Sequence, residues 1–245
     1  MTRGEDLVGR LGRTAIEGWR IPPLLAAALF LFPLVGGVAV AGTRVSRSLF
    51  HFITDEDSLL EWAQVVGYMT AAVIGFVISS RLWRSGDRWP AVAWLAFGIG
   101  CVFVTGEEVS WGQRIFHYST PEPLKEINRQ GEATIHNIRT VLNGFNTILL
   151  VGGLYGAVAG FVLPRIRATG RSLERAWLFV PPLFLSSAFA VVFVYKFSRF
   201  VVFRSSRYTI VRMGEWAELC FALALAAFAI LVYRRLHAEK ELPQS

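Results

Sequence analysis

A short acidic motif, followed by a carboxylate and an imidazole, is the part of this sequence best suited to chemistry. Glu107 and Glu108 are adjacent, and Arg114 follows six residues after Glu108. Glu132 and His136 are four positions apart, which places them on one face if that stretch is helical. A carboxylate and an imidazole at that spacing can share a divalent metal ion or form an acid–base pair.

The same spacing suggests a role for each residue. Neighbouring residues on a helix point about 100° apart, so only one of Glu107 and Glu108 easily enters a given site. We expect Glu107 or Glu108 to be a general base and Arg114 to bind an anionic group. Glu132 and His136 are then the metal ligands or the acid–base pair.

Two further acids, Glu61 and Glu218, are weaker candidates as metal ligands. Glu61 follows Ser58 as in a capping box, and Glu218 is predicted near the first turn of a helix, where the dipole favours acids. The competing interpretation is an ion-paired polar plug that closes the bundle. Arg114, Lys196 or Arg199 would then supply the positive charge.

The composition shows what kind of chain must position these groups. Of 245 residues, 53% are hydrophobic and 18% are charged, which is too apolar for a soluble domain of this size. The net charge of +7 would raise the question of nucleic acid in a soluble protein. Here the charges lie between apolar runs, so we interpret them as membrane topology and expect no nucleic-acid partner.

Six uncharged stretches have about the length that a helix needs to cross a bilayer. Helices are favoured over strands because open strands would leave backbone groups unpaired in lipid. We therefore predict an all-α, polytopic bundle that forms one integral membrane domain over residues 1–245. The predicted spans are 21–42, 59–80, 90–108, 140–164, 176–196 and 214–233.

The connection from Gly106 to Arg139 is longer than a simple connector needs. Thr120 followed by Pro121 is typical of a helix N-cap with proline at the first helical position. The pattern predicts a short interfacial helix from Pro121 to about Gln130, between spans three and four.

Glycines and prolines predict how the spans pack. Gly152, Gly156 and Gly160 form a stripe that permits close approach of another helix, and we expect a helix of the same chain there. Pro33 and the pair 181–182 should bend or interrupt their spans.

Six spans place both termini on one face, together with 14 of the 25 Lys and Arg residues and seven of the 18 acids. The positive-inside tendency then predicts cytoplasmic termini and an extracytoplasmic acidic motif. On that outer face we expect His51 to be an interfacial side chain and residues 55–57 to be a solvated acidic turn.

The segment Gly-Glu-Glu-Val-Ser-Trp-Gly-Gln-Arg-Ile-Phe at 106–116, followed by Asn-x-Gln-x-Glu-x-x-x-His-Asn at 128–137, resembles a family of uncharacterised bacterial multi-pass membrane proteins. The resemblance covers about 30 residues strongly. It implies a protein of the bacterial cytoplasmic membrane and no particular reaction. Gly131 stands where the resemblance leads us to expect a polar residue such as Asn.

These observations support two hypotheses of function. The first is a membrane-embedded, hydrolase-like enzyme that acts on a lipid or lipid-linked substrate, with a divalent metal as a possible cofactor. The second is a non-catalytic assembly partner or lipid binder, in which the same acids and bases form a structural ion-pair network. We rank transport third.

Overall fold

The computed structural model describes residues 9, 18–55, 58–116, 119–120, 122, 134, 139–162, 175–203 and 207–241. Over these residues the chain is helical and contains no strand. The main helices are α1 Pro23–Gly42, α2 Arg47–Thr54, α3 Leu59–Arg84, α4 Arg88–Glu108, α5 Arg139–Val162, α6 Ser186–Phe197 and α7 Tyr208–Glu241.

Six helical segments are long and apolar enough to cross a membrane, which confirms the predicted number of spans. They are Pro23–Val45, Arg47–Arg84, Arg88–Glu108, Gly144–Val162, Ala176–Val202 and Tyr208–Glu239. Many large apolar side chains on their surfaces are exposed, as expected for helices that face lipid.

The helices form a row in which α3 packs against α4 and α7, and α6 packs against α7 and α5. Helix α1 covers one side of this row by contacting α6 and α7. The core lies between α3, α6 and α7, where small residues such as Ala71 and Ala222 are fully buried. Because α7 sits in the middle of the row, its first turns lie close to the ends of several other helices.

Proline in α1 is accommodated by hydrogen bonds from neighbouring helices. Ser187 Oγ donates to the Phe30 carbonyl oxygen over 2.6 Å, and Trp216 Nε1 donates to the Pro33 carbonyl oxygen over 3.0 Å. Gly36 makes room for the Trp216 ring, since a Cβ there would lie 2.3 Å from it. Side chains of α6 and α7 therefore hold the part of α1 around Pro33.

The fifth span is interrupted, as the two prolines predict. Short 3₁₀ turns at Ala176–Leu178 and Leu183–Leu185 flank an extended Pro182, and α6 begins only at Ser186. Proline has no backbone N–H to donate, so a continuous helix cannot form through this pair.

The short helix α2 precedes α3, in a stretch where we predicted no helix. Ser46 caps α2 by accepting a hydrogen bond from the Leu49 N–H over 3.4 Å. Phe50 is buried while Phe52 on another face is 72% exposed. The predicted interfacial helix at 121–130 lies outside the described residues, apart from Glu122.

The glycine stripe packs within the chain, as predicted. A Cβ on Gly156 would lie 2.2 Å from the Phe189 ring of α6, and one on Gly160 would lie 2.9 Å from the Pro181 carbonyl oxygen. Gly152 similarly faces Phe221 of α7. Only glycine allows α5 to approach this closely.

Gly156→Ala should therefore destabilise the bundle by about 1–3 kcal/mol, because Phe189 is itself buried and cannot move aside. Gly100→Ala is the matched control, since nothing lies within 4 Å of a Cβ built there. Thermal unfolding in detergent measures both variants. Equal melting temperatures for Gly156→Ala and the wild type would show that α5 and α6 do not pack as described.

Candidate functional site

Four carboxylates on three helices lie near one another, without converging on a point, at the end of the bundle opposite Trp19 and Arg235. We call this end the acidic face, and we call its four acids the carboxylate cluster. The members are Glu61 of α3, Glu108 of α4, and Glu215 and Glu218 of α7. The Glu108 carboxyl lies within electrostatic range of the other three. The structure thus brings together Glu61, Glu108 and Glu218, three of the residues singled out in the sequence.

A turn at the end of α4 decides which of the two adjacent glutamates joins the cluster. Glu107 is buried, and its Oε1 accepts a hydrogen bond from Trp111 Nε1 over 2.5 Å. The Trp111 ring folds back over Gly106, where a Cβ would lie 2.9 Å from it. Glu107 is therefore held by its own motif, and Glu108 is the one that enters the cluster.

The turn itself has an uncommon backbone. Ser110, Trp111 and Gly112 all have positive φ, of 49°, 52° and 83°. Side chains with a Cβ rarely adopt this left-handed region, and such residues concentrate at functional sites. The motif therefore forms a tight turn after α4, and the Trp111 side chain in this turn binds Glu107 and not Glu108.

Glu61 lies near the other carboxylates and also follows a helix cap. Ser58 Oγ accepts the Glu61 N–H over 3.4 Å, which confirms half of the predicted capping box. The Ser58 N–H donates instead to the Asp55 carbonyl oxygen over 3.2 Å, so the Glu61 carboxylate is not needed there. That carboxylate lies within electrostatic range of Glu108 and Glu215.

The acids of α7 are not at the start of their helix, contrary to the sequence-based expectation. Helix α7 begins at Tyr208, so Glu215 and Glu218 lie in its second and third turns. The helix dipole favours acids only within the first turn. The dipole therefore does not explain why two glutamates sit here.

Lys196 of α6 is the cation at the centre of this region. Its side chain is 7% exposed, and its Nζ donates to Glu218 Oε1 over 2.6 Å and to Asn146 Oδ1 over 2.9 Å. The ammonium thus ties α6 to α7 and to α5. Lys196 was one of the three candidates for the positive charge, and the structure places it on Glu218.

Gln64, one turn along α3 from Glu61, carries a second polar group in the cluster. Its side chain is fully buried, and its Nε2 donates over 3.2 Å both to Glu215 Oε2 and to the Glu215 carbonyl oxygen. Its Oε1 has no hydrogen-bond partner. Flipping the amide would place the acceptor Oε1 beside two Glu215 oxygens that are also acceptors. The orientation in which Nε2 faces Glu215 is therefore favoured.

Tyr68 completes this face of α3. It is buried and lies within electrostatic range of Glu108 and Glu218. Sequence reasoning missed Gln64 and Tyr68, although a signal was present. Residues 61, 64 and 68 follow helical spacing and so form one polar stripe in an otherwise apolar span.

Among the described residues, the cations that act most strongly on Glu108 and Glu215 are Lys196 and Arg212, respectively. Arg212 is shared, because its Nε also lies 3.5 Å from Asp55 Oδ1. Carboxylates crowded in a low-dielectric region repel one another unless a cation or a proton joins them.

A second polar group lies on the acidic face. His51 Nδ1 lies 2.7 Å from Asp55 Oδ2 and 2.9 Å from the Tyr208 hydroxyl, which also donates to Asp55 Oδ1. Both side chains stay partly exposed, as expected of an interfacial histidine and a solvated acid, and they also connect α2 to α7. Asp55 and Tyr208 are 153 positions apart, so only the fold brings them together.

The remaining predicted site residues are not placed by the structure. Glu132 and His136 lie outside the described residues, as does the side chain of Arg114. Within the described part of the chain, no three His, Cys, Asp or Glu residues converge in a way that could hold a metal ion. The predicted pairing of Glu132 with His136 therefore stays a prediction.

The chain matches no protein-family model, no curated protein and no solved structure in comparisons with known proteins. The geometry of the acidic face is therefore the basis for the functional argument.

Lys196→Met should lower the free energy of unfolding by about 3 kcal/mol, because it leaves the Glu218 carboxylate without its buried partner. The double variant Lys196→Met/Glu218→Gln should recover part of that loss by removing the stranded charge. Unfolding in a denaturing detergent measures both. If Lys196→Met alone is as stable as the wild type, Lys196 does not hold the bundle ends together.

Proposed function

We propose that the protein is a membrane-embedded, hydrolase-like enzyme whose carboxylate cluster acts on a lipid or lipid-linked substrate. The observation that carries this proposal is that four carboxylates of the described residues lie near one another at the ends of apolar helices. Ionisable groups at membrane depth are costly and are usually retained for function. Carboxylates crowded in a low-dielectric region favour the uptake of a proton, which is what a general base does.

Glu108 is the proposed general base. Its carboxylate takes a proton from a water molecule as the water oxygen bonds to an acyl or phosphoryl centre of the substrate. The proton then passes to the leaving group as its bond to that centre breaks. Tyr68 lies within electrostatic range of Glu108, and the Lys196–Glu218 pair ties the ends of α6 and α7 together nearby.

The roles predicted for Arg114, Glu132 and His136 belong to the same proposal. Arg114 would bind an anionic part of the substrate, while Glu132 and His136 would serve as metal ligands or as an acid–base pair. A divalent metal would lower the energy of a developing negative charge on the substrate.

The second candidate is a non-catalytic lipid binder or assembly partner. The bonds from Lys196 to Glu218 and Asn146 favour it, because they are what a structural ion-pair network would contain. Such a network, however, would bring one cation to each buried carboxylate. Among the described residues, Glu108 lies near three other carboxylates, and the nearby Lys196 bonds directly to Glu218, so we rank this candidate second.

We also propose that the protein lies in a bacterial cytoplasmic membrane with both termini in the cytoplasm. The support is the excess of Lys and Arg on the face of the termini, 14 of 25. The acidic face would then lie at the outer leaflet.

Glu108→Gln should abolish lipid turnover, because an amide cannot take up a proton at neutral pH. Purified protein in nanodiscs of bacterial polar lipids is incubated, and the lipids are compared by mass spectrometry. Glu239→Gln is the matched control, since Glu239 pairs with Arg235 at the opposite end of α7. Turnover by the control and none by Glu108→Gln supports the enzyme. If Glu108→Gln turns over the same lipid at the wild-type rate, Glu108 is not the base.

The orientation is tested with two serine-to-cysteine variants, because both native cysteines are buried. Ser119 lies beyond the acidic end of α4, and Ser85 caps the opposite end of α3. A membrane-impermeant thiol reagent added to intact cells should label Ser119→Cys and spare Ser85→Cys. The reverse pattern would invert the proposed orientation and leave the fold unaffected.

A further inference from the structure

Three arginines lie close together in sequence at the end of the bundle opposite the acidic face. Arg81 and Arg84 lie in the last turn of α3, and Arg88 is the first residue of α4. We call these three residues the arginine group. Arg84 and Arg88 are exposed, and Arg81 is half-buried. Within the described part of the chain, no carboxylate pairs with any of the three.

Asp87 is the acid nearest to the arginine group in sequence, and it is already paired. Its Oδ2 accepts a hydrogen bond from Arg175 Nη1 and another, over 3.2 Å, from Ser85 Oγ. Arg175 brings its own positive charge to this turn. Because Arg175 balances the Asp87 carboxylate, that carboxylate does not offset the charge of the arginine group.

Two guanidinium groups of the arginine group rest on aromatic rings. The Arg88 guanidinium lies 4.1 Å from the centre of the Trp83 ring, and the Arg81 guanidinium lies 4.3 Å from the centre of the Tyr233 ring. Arg81 Nη2 also donates to the Tyr233 hydroxyl over 3.0 Å. A ring attracts a guanidinium through its quadrupole and leaves the net charge in place. The rings therefore position these arginines without neutralising them.

Arg84 continues the exposed face of α3. Val66, Val73 and Val77 precede it by 18, 11 and 7 residues, which is the spacing of a single helix face. The three valines and Arg84 are all exposed, so neither α4 nor α7 covers this face. Val73 lies about 16 Å along the helix axis from Arg84, which is about half the thickness of a bilayer core. An acyl chain that lies along the valines therefore ends beside Arg84.

Two tryptophans indicate the depth of the arginine group in the membrane. Trp83 is 51% exposed and Trp89 is 74% exposed, and tryptophan collects at the level of the lipid headgroups. The phosphate of a phospholipid lies at that level, and guanidinium groups bind phosphate through paired N–H donors. A zwitterionic lipid brings a cation of its own, which the arginines repel. A lipid with a net negative charge therefore fits this surface best.

We propose that the arginine group binds the phosphate of an anionic phospholipid. Arg84 contacts the phosphate where the acyl chain leaves the valine face of α3. Arg81 approaches from the side of α7, where Tyr233 holds it, and Arg88 approaches from the side of α4. This lipid is not the proposed substrate, because the carboxylate cluster lies at the other end of the bundle. The inference therefore does not depend on the proposed enzyme.

The test measures binding of three probes to the purified full-length protein in detergent, by native mass spectrometry. Short-chain phosphatidylglycerol is anionic, short-chain phosphatidylcholine is zwitterionic, and glycerol phosphate is an anion without acyl chains. We expect phosphatidylglycerol to bind about 10-fold more tightly than either of the others. Equal affinity for the two lipids would overturn the proposal. Glycerol phosphate that binds as tightly as phosphatidylglycerol would also overturn it, because the surface would then bind a free anion and not a lipid.

Two variants locate the binding at the arginine group. Arg84→Gln should reduce the preference for phosphatidylglycerol over phosphatidylcholine by about 5-fold, and Arg84→Gln/Arg88→Gln should remove it. Arg44→Gln is the matched control, since Arg44 is also exposed but follows α1 at the acidic face. It removes the same charge and should keep the preference.

Circular dichroism and thermal unfolding establish that the three variants fold. A folded Arg84→Gln/Arg88→Gln with the wild-type preference would overturn the proposal. An equal loss of preference in Arg44→Gln and Arg84→Gln would overturn it as well, because the net charge of the protein and not the arginine group would then attract the lipid.

Discussion

A buried ammonium group must keep its partners, and this requirement organises the acidic face. Lys196 is 5% exposed and bonds to Glu218 and Asn146, so three helices are fixed relative to one another at that point. Leaving either charge alone in a low-dielectric region would cost several kcal/mol. The ends of α5, α6 and α7 therefore cannot separate without losing this contact. The remaining acids are held close together because α3 packs against α7 and α4 packs against α3.

The same contact explains why the cluster can be functional. Lys196 is bonded to Glu218, and Arg212 also lies beside Asp55. Glu108 lies near Glu61, Glu215 and Glu218. Carboxylates crowded in this way favour the uptake of a proton. The proposed proton transfer by Glu108 therefore depends on the same packing.

The sequence predicted the parts of the fold that depend on length and local pattern. Six apolar stretches predicted six spans, and the spacing of Gly152, Gly156 and Gly160 predicted a close helix contact. It also predicted that only one of Glu107 and Glu108 could enter a site. Hydropathy does not give the rotation of each helix, however, so the choice of Glu108 and the role of Gln64 needed the structure. The pairing of Asp55 with Tyr208 was equally inaccessible, because it joins residues 153 positions apart.

The central claim is that the bond between Lys196 and Glu218 fixes the helix ends and so holds Glu108 near the other carboxylates. A crystal structure from a lipidic mesophase tests it most directly. The account predicts that Lys196 Nζ lies within about 3 Å of Glu218 and of Asn146, and that the Glu108 carboxylate faces Glu215 and Glu218. It would be contradicted if Lys196 lay in lipid or if the Glu108 side chain pointed away from α7.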